Sequence, residues 1–261
     1  MKYGRSEDIY NVRGKKALIT GGTKGIGREL AFCLLENGCD VIVASRSAST
    51  DIELDSFANL HGTNCWSLPC DVTDSKNVVS LVKDSIDIMG RIDILINAAG
   101  VNVRKFIWEM DDDSWNRVIT TNLTASFYVC REVSKHMRAN RYGKIINLSS
   151  MKSFLGVSDD GYSAYCASKA AVNMLTKQLA CELADYGITV NAIAPTFIRT
   201  AINSAQLDDP KFRSSLVNRI PVGRIGEFRD LMGYLLFLAS DASQFITGQV
   251  LLVDGGISAR Q

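Results

Sequence analysis

The chain has 261 residues, 46% of them hydrophobic, and 29 basic against 28 acidic side chains leave a net charge of +1. That balance fits one large α/β domain over 1–261 with a full core, and it argues against nucleic acid as the main partner. No stretch resembles a secretory leader or a membrane span, and the seven cysteines lack C-x-x-C spacing, so a cytoplasmic protein with reduced thiols, no metal site and no membrane partner is expected.

Residues 1–12 are polar and aperiodic and predict a loosely held arm. From there β-rich runs alternate with helical patterns: Ala17–Ile19, Asp40–Ala44, Cys65–Leu68, Ile92–Ile96, Lys144–Leu148, Thr189–Ile193 and Val250–Val253 read as strands. Such alternation predicts a single Rossmann-type, doubly wound parallel sheet with helices on both faces, and ligands at the carboxyl ends of the strands.

The first strand runs into Thr20-Gly21-Gly22-Thr23-Lys24-Gly25-Ile26-Gly27, spaced T-G-x-x-x-G-x-G. Gly21 permits a tight turn, Gly25 lets the backbone approach a pyrophosphate, and Gly27 lets the next helix press on the strand. The helix N-terminus favours an anion at this point; a strand-to-helix turn without a ligand is the alternative. The second strand ends at Ser45-Arg46, where an NAD site would present an acid to the ribose 2′-hydroxyl. Arg46 and Lys24, with Ser45 as a further donor, suit a 2′-phosphate instead, unless both cations are plain surface charges. Asn97-Ala98-Ala99-Gly100 closes the fourth strand; its small residues admit a ring, and Asn97 either ties strand ends together or makes a structural turn. Arg104, just beyond, could hold a substrate carboxylate bidentately or lie on the surface. Lys135, Arg138, Arg141 and Lys144 read as a solvated basic face.

The fifth strand leads into Ser149-Ser150, hydroxyls at a strand end where a carbonyl oxygen could be held. A long helix is expected from Ala164 to Tyr186, packed on the sheet through Ala171, Met174, Leu175, Leu179 and Leu183. Tyr165 and Lys169, four apart, share a face of it, and a fixed ammonium beside a phenol would lower the phenol's pKa for proton transfer at neutral pH. Taken alone, Y-x-x-x-K also arises by chance. Cys166 lies inside this motif. The polar, helix-capable segment 196–221 follows a strand end and is a candidate lid over the site.

Together these motifs resemble the short-chain dehydrogenase/reductase family over essentially the whole length. The resemblance rests on Thr20–Gly27, Asp71-Val72, Asn97–Gly100, Asn122, Ser150 with Tyr165 and Lys169, Pro195–Thr200 and Asp254-Gly255-Gly256. It implies an NADP(H)-dependent oxidoreductase acting on a small carbonyl or alcohol substrate, and a homotetramer. It further implies that Asp71 and Val72 flank the adenine, and that Asn97 and Lys169 lie near the nicotinamide ribose. Ile198 would hold the carboxamide, and Pro195 and Thr200 would border the cofactor. Ser150 would hydrogen-bond the substrate oxygen, Tyr165 transfer its proton, Lys169 lower the tyrosine pKa and Asn122 anchor a relay water. Two departures stand out: about two extra residues in the run 157–161, which leave Ser153 as a rival for the serine role, and Thr196 where glycine is common. Within the family, Ser150-Met151-Lys152-Ser153 with Leu155-Gly156 and the ending Asp254-Gly255-Gly256-Ile257 are most similar to gluconate 5-dehydrogenase-like members, which implies a polyol or sugar acid. The alternatives are a 3-oxoacyl-(acyl-carrier-protein) reductase, for which Lys135 is a match and Cys181 a mismatch, and a non-catalytic NADP(H)-binding redox sensor.

Overall fold

The computed structural model describes residues 9–47, 51–156, 158, 160–200 and 203–260. Residues 1–8 of the expected arm, Val157 and Asp159 of the inserted run, and positions 201 and 202 of the expected lid lie outside the described residues. The arm's last residue, Val12, is buried in the core.

Seven strands form one parallel sheet: β1 (Lys16–Thr20), β2 (Asp40–Ser45), β3 (Cys65–Pro69), β4 (Ile94–Asn97), β5 (Gly143–Leu148), β6 (Ile188–Pro195) and β7 (Val250–Val253). Their spatial order is β3-β2-β1-β4-β5-β6-β7. The chain winds outward from β1 to β3 and then returns to start again beside β1. A crevice therefore opens beyond the carboxyl ends of β1 and β4, which pair in register from Ala17–Ile94 to Thr20–Asn97.

Nine helices among the described residues cover the two faces. These are α1 (Gly25–Glu36), α2 (Ile52–His61), α3 (Ser75–Met89), α4 (Asp112–Ile119), α5 (Ala125–Asn140), α6 (Ser163–Leu183), α7 (Ser204–Leu207), α8 (Pro210–Val217) and α9 (Arg229–Ala239). Successive strand residues point to opposite faces, which divides the core in two. Ala17, Ile19, Val41 and Val43 pack with Leu30 and Leu34 of α1, Leu54 of α2 and Leu231 and Leu235 of α9. Leu18, Ile42 and Ala44 pack with Val78 and Leu81 of α3, Val129 and Val133 of α5 and Ala180 of α6.

On α6 the structure keeps Leu179 and Leu183 of the expected stripe against the core and corrects the rest. The residues it buries are Ala164, Ser168, Lys169, Val172, Asn173, Thr176, Ala180 and Leu183, while Met174 is exposed. Small and polar side chains face the sheet because a buried hydrogen-bond ladder runs through them. Asn97 Nδ2 donates to Asn147 Oδ1 at 2.9 Å, and Asn147 Nδ2 donates to Thr176 Oγ1 at 2.9 Å. The ladder ties β4, β5 and α6 together just below the crevice.

Candidate active site

The crevice is a cleft of about 960 Å³ running across the strand ends. At its β1 end the wall is backbone. Gly21 sits at φ +69°, and a Cβ there would lie 2.7 Å from Ala99 Cα; a Cβ on Gly27 would collide with the Gly21 carbonyl oxygen. Only glycine lets the turn after β1, the first turn of α1 and the turn after β4 come this close. Helices α2, α3, α4 and α8 each begin under an aspartate that accepts a backbone N–H. Helix α1 begins at Lys24 with no side-chain cap and no acid in its first turn, so its N–H groups and dipole stay available to an anion in the cleft.

Further along this wall, Ser45 Oγ is buried without a hydrogen-bond partner, and it lines the cleft with Lys24, Arg46, Asp71 and Val72. Among the described residues neither Lys24 nor Arg46 enters an ion pair. Asp71 is held by Thr73, whose N–H and Oγ1 donate to its carboxylate at 3.0 and 2.7 Å. Those bonds, together with the charge of Arg46, keep the Asp71 carboxyl below its ordinary range. Glycines that make room, an uncapped helix, an orphan hydroxyl and two uncommitted cations fit a phosphate-bearing dinucleotide.

At the other end of the cleft Ser150, Tyr165 and Lys169 converge. Ser150 follows β5 and caps the short turn Met151–Ser153, accepting the Lys152 N–H at 3.2 Å. The rival Ser153 is spent: its hydroxyl donates to the Ser150 carbonyl at 2.5 Å and accepts from Asn173 Nδ2 at 2.7 Å, and it lines neither cavity of this site. Lys169 is buried, and its Nζ donates to the Leu148 carbonyl at 2.6 Å. Burial pulls its pKa down to about 8. Tyr165 moves the other way. Burial raises its phenol above the ordinary value, and the Ser150 hydroxyl offsets only part of that rise. The lysine Nζ sits 5.9 Å from the ring centroid and directs one of its three N–H donors at a backbone carbonyl.

Asn122 lies within a π-turn, Thr120–Thr124, between α4 and α5. Such turns place a side chain out of helical register and recur at functional sites. Its Oδ1 accepts the Val101 N–H at 2.8 Å, and its Nδ2 donates to the Val101 carbonyl at 3.0 Å and to Ser168 Oγ at 2.9 Å. Both amide hydrogens are used, so its side chain braces the turn after β4 against α6. Asn122 is not on the cleft lining and neither is Asn97, whose buried amide faces Asn147 and Cys130. Gly21, Thr23, Gly25, Ile26, Gly27, Ala98, Ala99, Gly100, Pro195, Ile198 and Thr200 do line it.

Arg104 is likewise outside the lining. Its Nη1 pairs with Asp160 at 3.0 Å, and its side chain is 43% exposed. Sequence reasoning passed over a second cavity of about 170 Å³ that shares Asn102, Ser150, Tyr165, Thr196 and Phe197 with the cleft and adds Met151, Lys152 and Tyr162. Two signals pointed to it: a cation two residues after Ser150, and an aromatic residue three before Tyr165, at the start of α6. Cys166 is only partly buried, and that burial raises its thiol above the ordinary value, away from a thiolate.

The family model described as enoyl-(acyl carrier protein) reductase matches residues 21–258. A 3-oxoacyl-(acyl-carrier-protein) reductase of Vibrio harveyi is 38% identical over 247 residues, covering 95% of this chain and 98% of that protein. The 5-keto-D-gluconate 5-reductase of Escherichia coli K12 is 38% identical over 252 residues, covering 96% and 98%. Among solved structures, a gluconate 5-dehydrogenase from Burkholderia cenocepacia J2315 in complex with NADP and tartrate superposes with a TM-score of 0.92 at 36% identity, covering 98% of this chain and 100% of that one.

Proposed function

The chain belongs to the short-chain dehydrogenase/reductase family of oxidoreductases, and from that premise we propose that it interconverts a secondary alcohol and a ketone on a small polyol or sugar acid, with NADP(H) as cofactor. The observation that carries the reading is the meeting of Ser150, Tyr165 and Lys169 where a glycine-walled cleft opens into a small cavity that contains a cation. Lys24, Arg46 and the orphan Ser45 hydroxyl would hold the 2′-phosphate, and Asp71 and Val72 would border the adenine. The first turn of α1 would take the pyrophosphate, and Ile198 and Thr200 would flank the nicotinamide.

When bound, the nicotinamide supplies or accepts the hydride. The chain's own residues do the rest. Ser150 Oγ donates to the substrate oxygen and orients it. Tyr165 OH gives that oxygen a proton on reduction and removes it on oxidation. The Lys169 ammonium, moving from the Leu148 carbonyl toward the phenol, stabilises the phenolate left behind. Asn122 keeps the turn after β4 and the lysine-bearing helix in fixed relation through Val101 and Ser168. A homotetramer belongs to the same reading, supported by exposed Phe127 on α5 and Met174 on α6.

The carrier-linked reductase is the second reading, favoured by the equal similarity of the Vibrio relative. Against it, Lys135 is occupied by Glu132 at 2.5 Å and an exposed cysteine, Cys181, stands on α6 where carrier docking would want a base. The cavity also lies well below the roughly 300–1,000 Å³ of larger ligand sites. Steady-state NADPH oxidation with 5-keto-gluconate, neutral diketones, quinones and a short oxoacyl thioester separates the readings. The keto acid should turn over fastest. A thioester favoured by about tenfold or more in kcat/KM would transfer the enzyme to the carrier class, and NADPH binding without turnover of any carbonyl would make it a redox sensor.

A further inference from the structure

Among the described residues that line the small cavity one is charged, Lys152. Its Nζ stands 2.9 Å from the centroid of the Tyr162 ring and 5.8 Å from that of Phe197. The guanidinium of Arg104 also lies against Tyr162, 5.2 Å from the centroid. Two cations thus share one aromatic surface, and they differ in one respect. Arg104 is neutralised by Asp160 at 3.0 Å and half open to solvent. Lys152 has no carboxylate within ion-pair reach among the described residues, and it faces a cavity bordered by the substrate-handling Ser150 and Tyr165.

An ammonium half-withdrawn from water without a counter-charge is a cost to the folded chain. The ring face of Tyr162 recovers part of it. Burial and the neighbouring Arg104 still draw the Lys152 pKa down to about 8. An anion entering the cavity would relieve both effects together, and the cavity admits only a small one. We propose that Lys152 is the specificity-determining residue of this site: it anchors the carboxylate of a small hydroxy- or keto-acid substrate through a charge-assisted hydrogen bond, while Tyr162 holds the ammonium in place and Arg104 stays committed to Asp160. The assignment rests on the dehydrogenase reading for what happens to the ligand, but not for the binding of the anion itself.

Two readouts test it separately. In the first, calorimetric titration of the whole protein with tartrate, a small hydroxy-dicarboxylate, is compared for wild type, Lys152→Met, Lys152→Arg and Arg104→Ala. Wild type and Arg104→Ala should bind alike, Lys152→Met should lose about tenfold or more, and Lys152→Arg should recover part of the loss. Absence of binding to wild type, unchanged binding by Lys152→Met, or a loss confined to Arg104→Ala would overturn the proposal. In the second, the ratio of kcat/KM on a keto acid to that on its methyl ester should fall by about tenfold or more in Lys152→Met, mainly through KM; a proportional loss on both substrates would make Lys152 a packing residue and overturn the proposal. Tartrate binding that depends on Lys152 in a protein that turns over no carbonyl would sink the dehydrogenase reading and leave the anion site standing.

Discussion

At its β1 end the cleft is shaped by what is missing: side chains at Gly21 and Gly27 would strike Ala99 and the Gly21 carbonyl, and the first turn of α1 carries neither cap nor acid. At its α6 end the walls are side chains brought from distant parts of the chain, with Ser150 and Lys152 after β5, Tyr162 just before α6, Tyr165 on it, and Phe197 after β6. Backbone recognises the features common to all dinucleotides, a pyrophosphate and a narrow slot, whereas the placement of polar side chains selects among substrates. The first region should therefore tolerate changes of charge better than changes of bulk, and the second the reverse.

The sharpest way to break that comparison is at Tyr165. Tyr165→Phe changes no volume that matters and removes one hydroxyl, so NADPH affinity should hold while turnover falls about 10²- to 10⁴-fold. Fluorescence titration against steady-state kinetics reads both quantities, and a parallel loss of cofactor binding would mean the two ends are not separable. Ser150→Ala should behave alike and Ser153→Ala should not, because the Ser153 hydroxyl is already spent on the Ser150 carbonyl.

A smaller effect is expected at the one place where the nucleotide end does rely on charge. Arg46→Asp should weaken NADPH by at least about tenfold and NADH much less. Equal NADH and NADPH affinity in wild type would remove the 2′-phosphate from the reading. Least of all should Arg104→Ala matter. Its partner Asp160 shares its exposure to solvent, and exposed ion pairs contribute about 0–1 kcal/mol, so kcat/KM on keto acid and methyl ester alike should change by less than about fivefold. A selective loss on the acid would return the carboxylate site to Arg104.

Local signals carried much of this molecule. The alternation of strands and helices, the glycine turn after β1, and the shared face of Tyr165 and Lys169 each depend on residues a few positions apart, and periodicity and glycine spacing report such relations directly. The strand that begins at Ile94 rather than Ile92 is an ordinary boundary shift. The failures are of another kind. The apolar stripe read on α6 was right at Leu179 and Leu183 and missed the rest of the buried face, because the face that packs on β5 is filled with Asn173 and Thr176, whose partners Ser149 and Asn147 lie more than twenty residues away in sequence. For Arg104 the sequence left a substrate ligand and a surface arginine open, because nothing near it in sequence showed that Asp160 would reach it.

By itself the sequence determined the doubly wound sheet, the glycine turn at the β1 end of the cleft and the shared helical face of tyrosine and lysine, since each follows from backbone freedom or from helical and strand period. Tertiary structure alone decided which hydroxyl faces the cleft, which cation is already neutralised and which has no carboxylate partner among the described residues. Hydrogen bonds and ion pairs are saturable and short-ranged, so whether Ser153, Asn122, Arg104 or Lys152 is free depends on what the fold brings within about 3 Å of each.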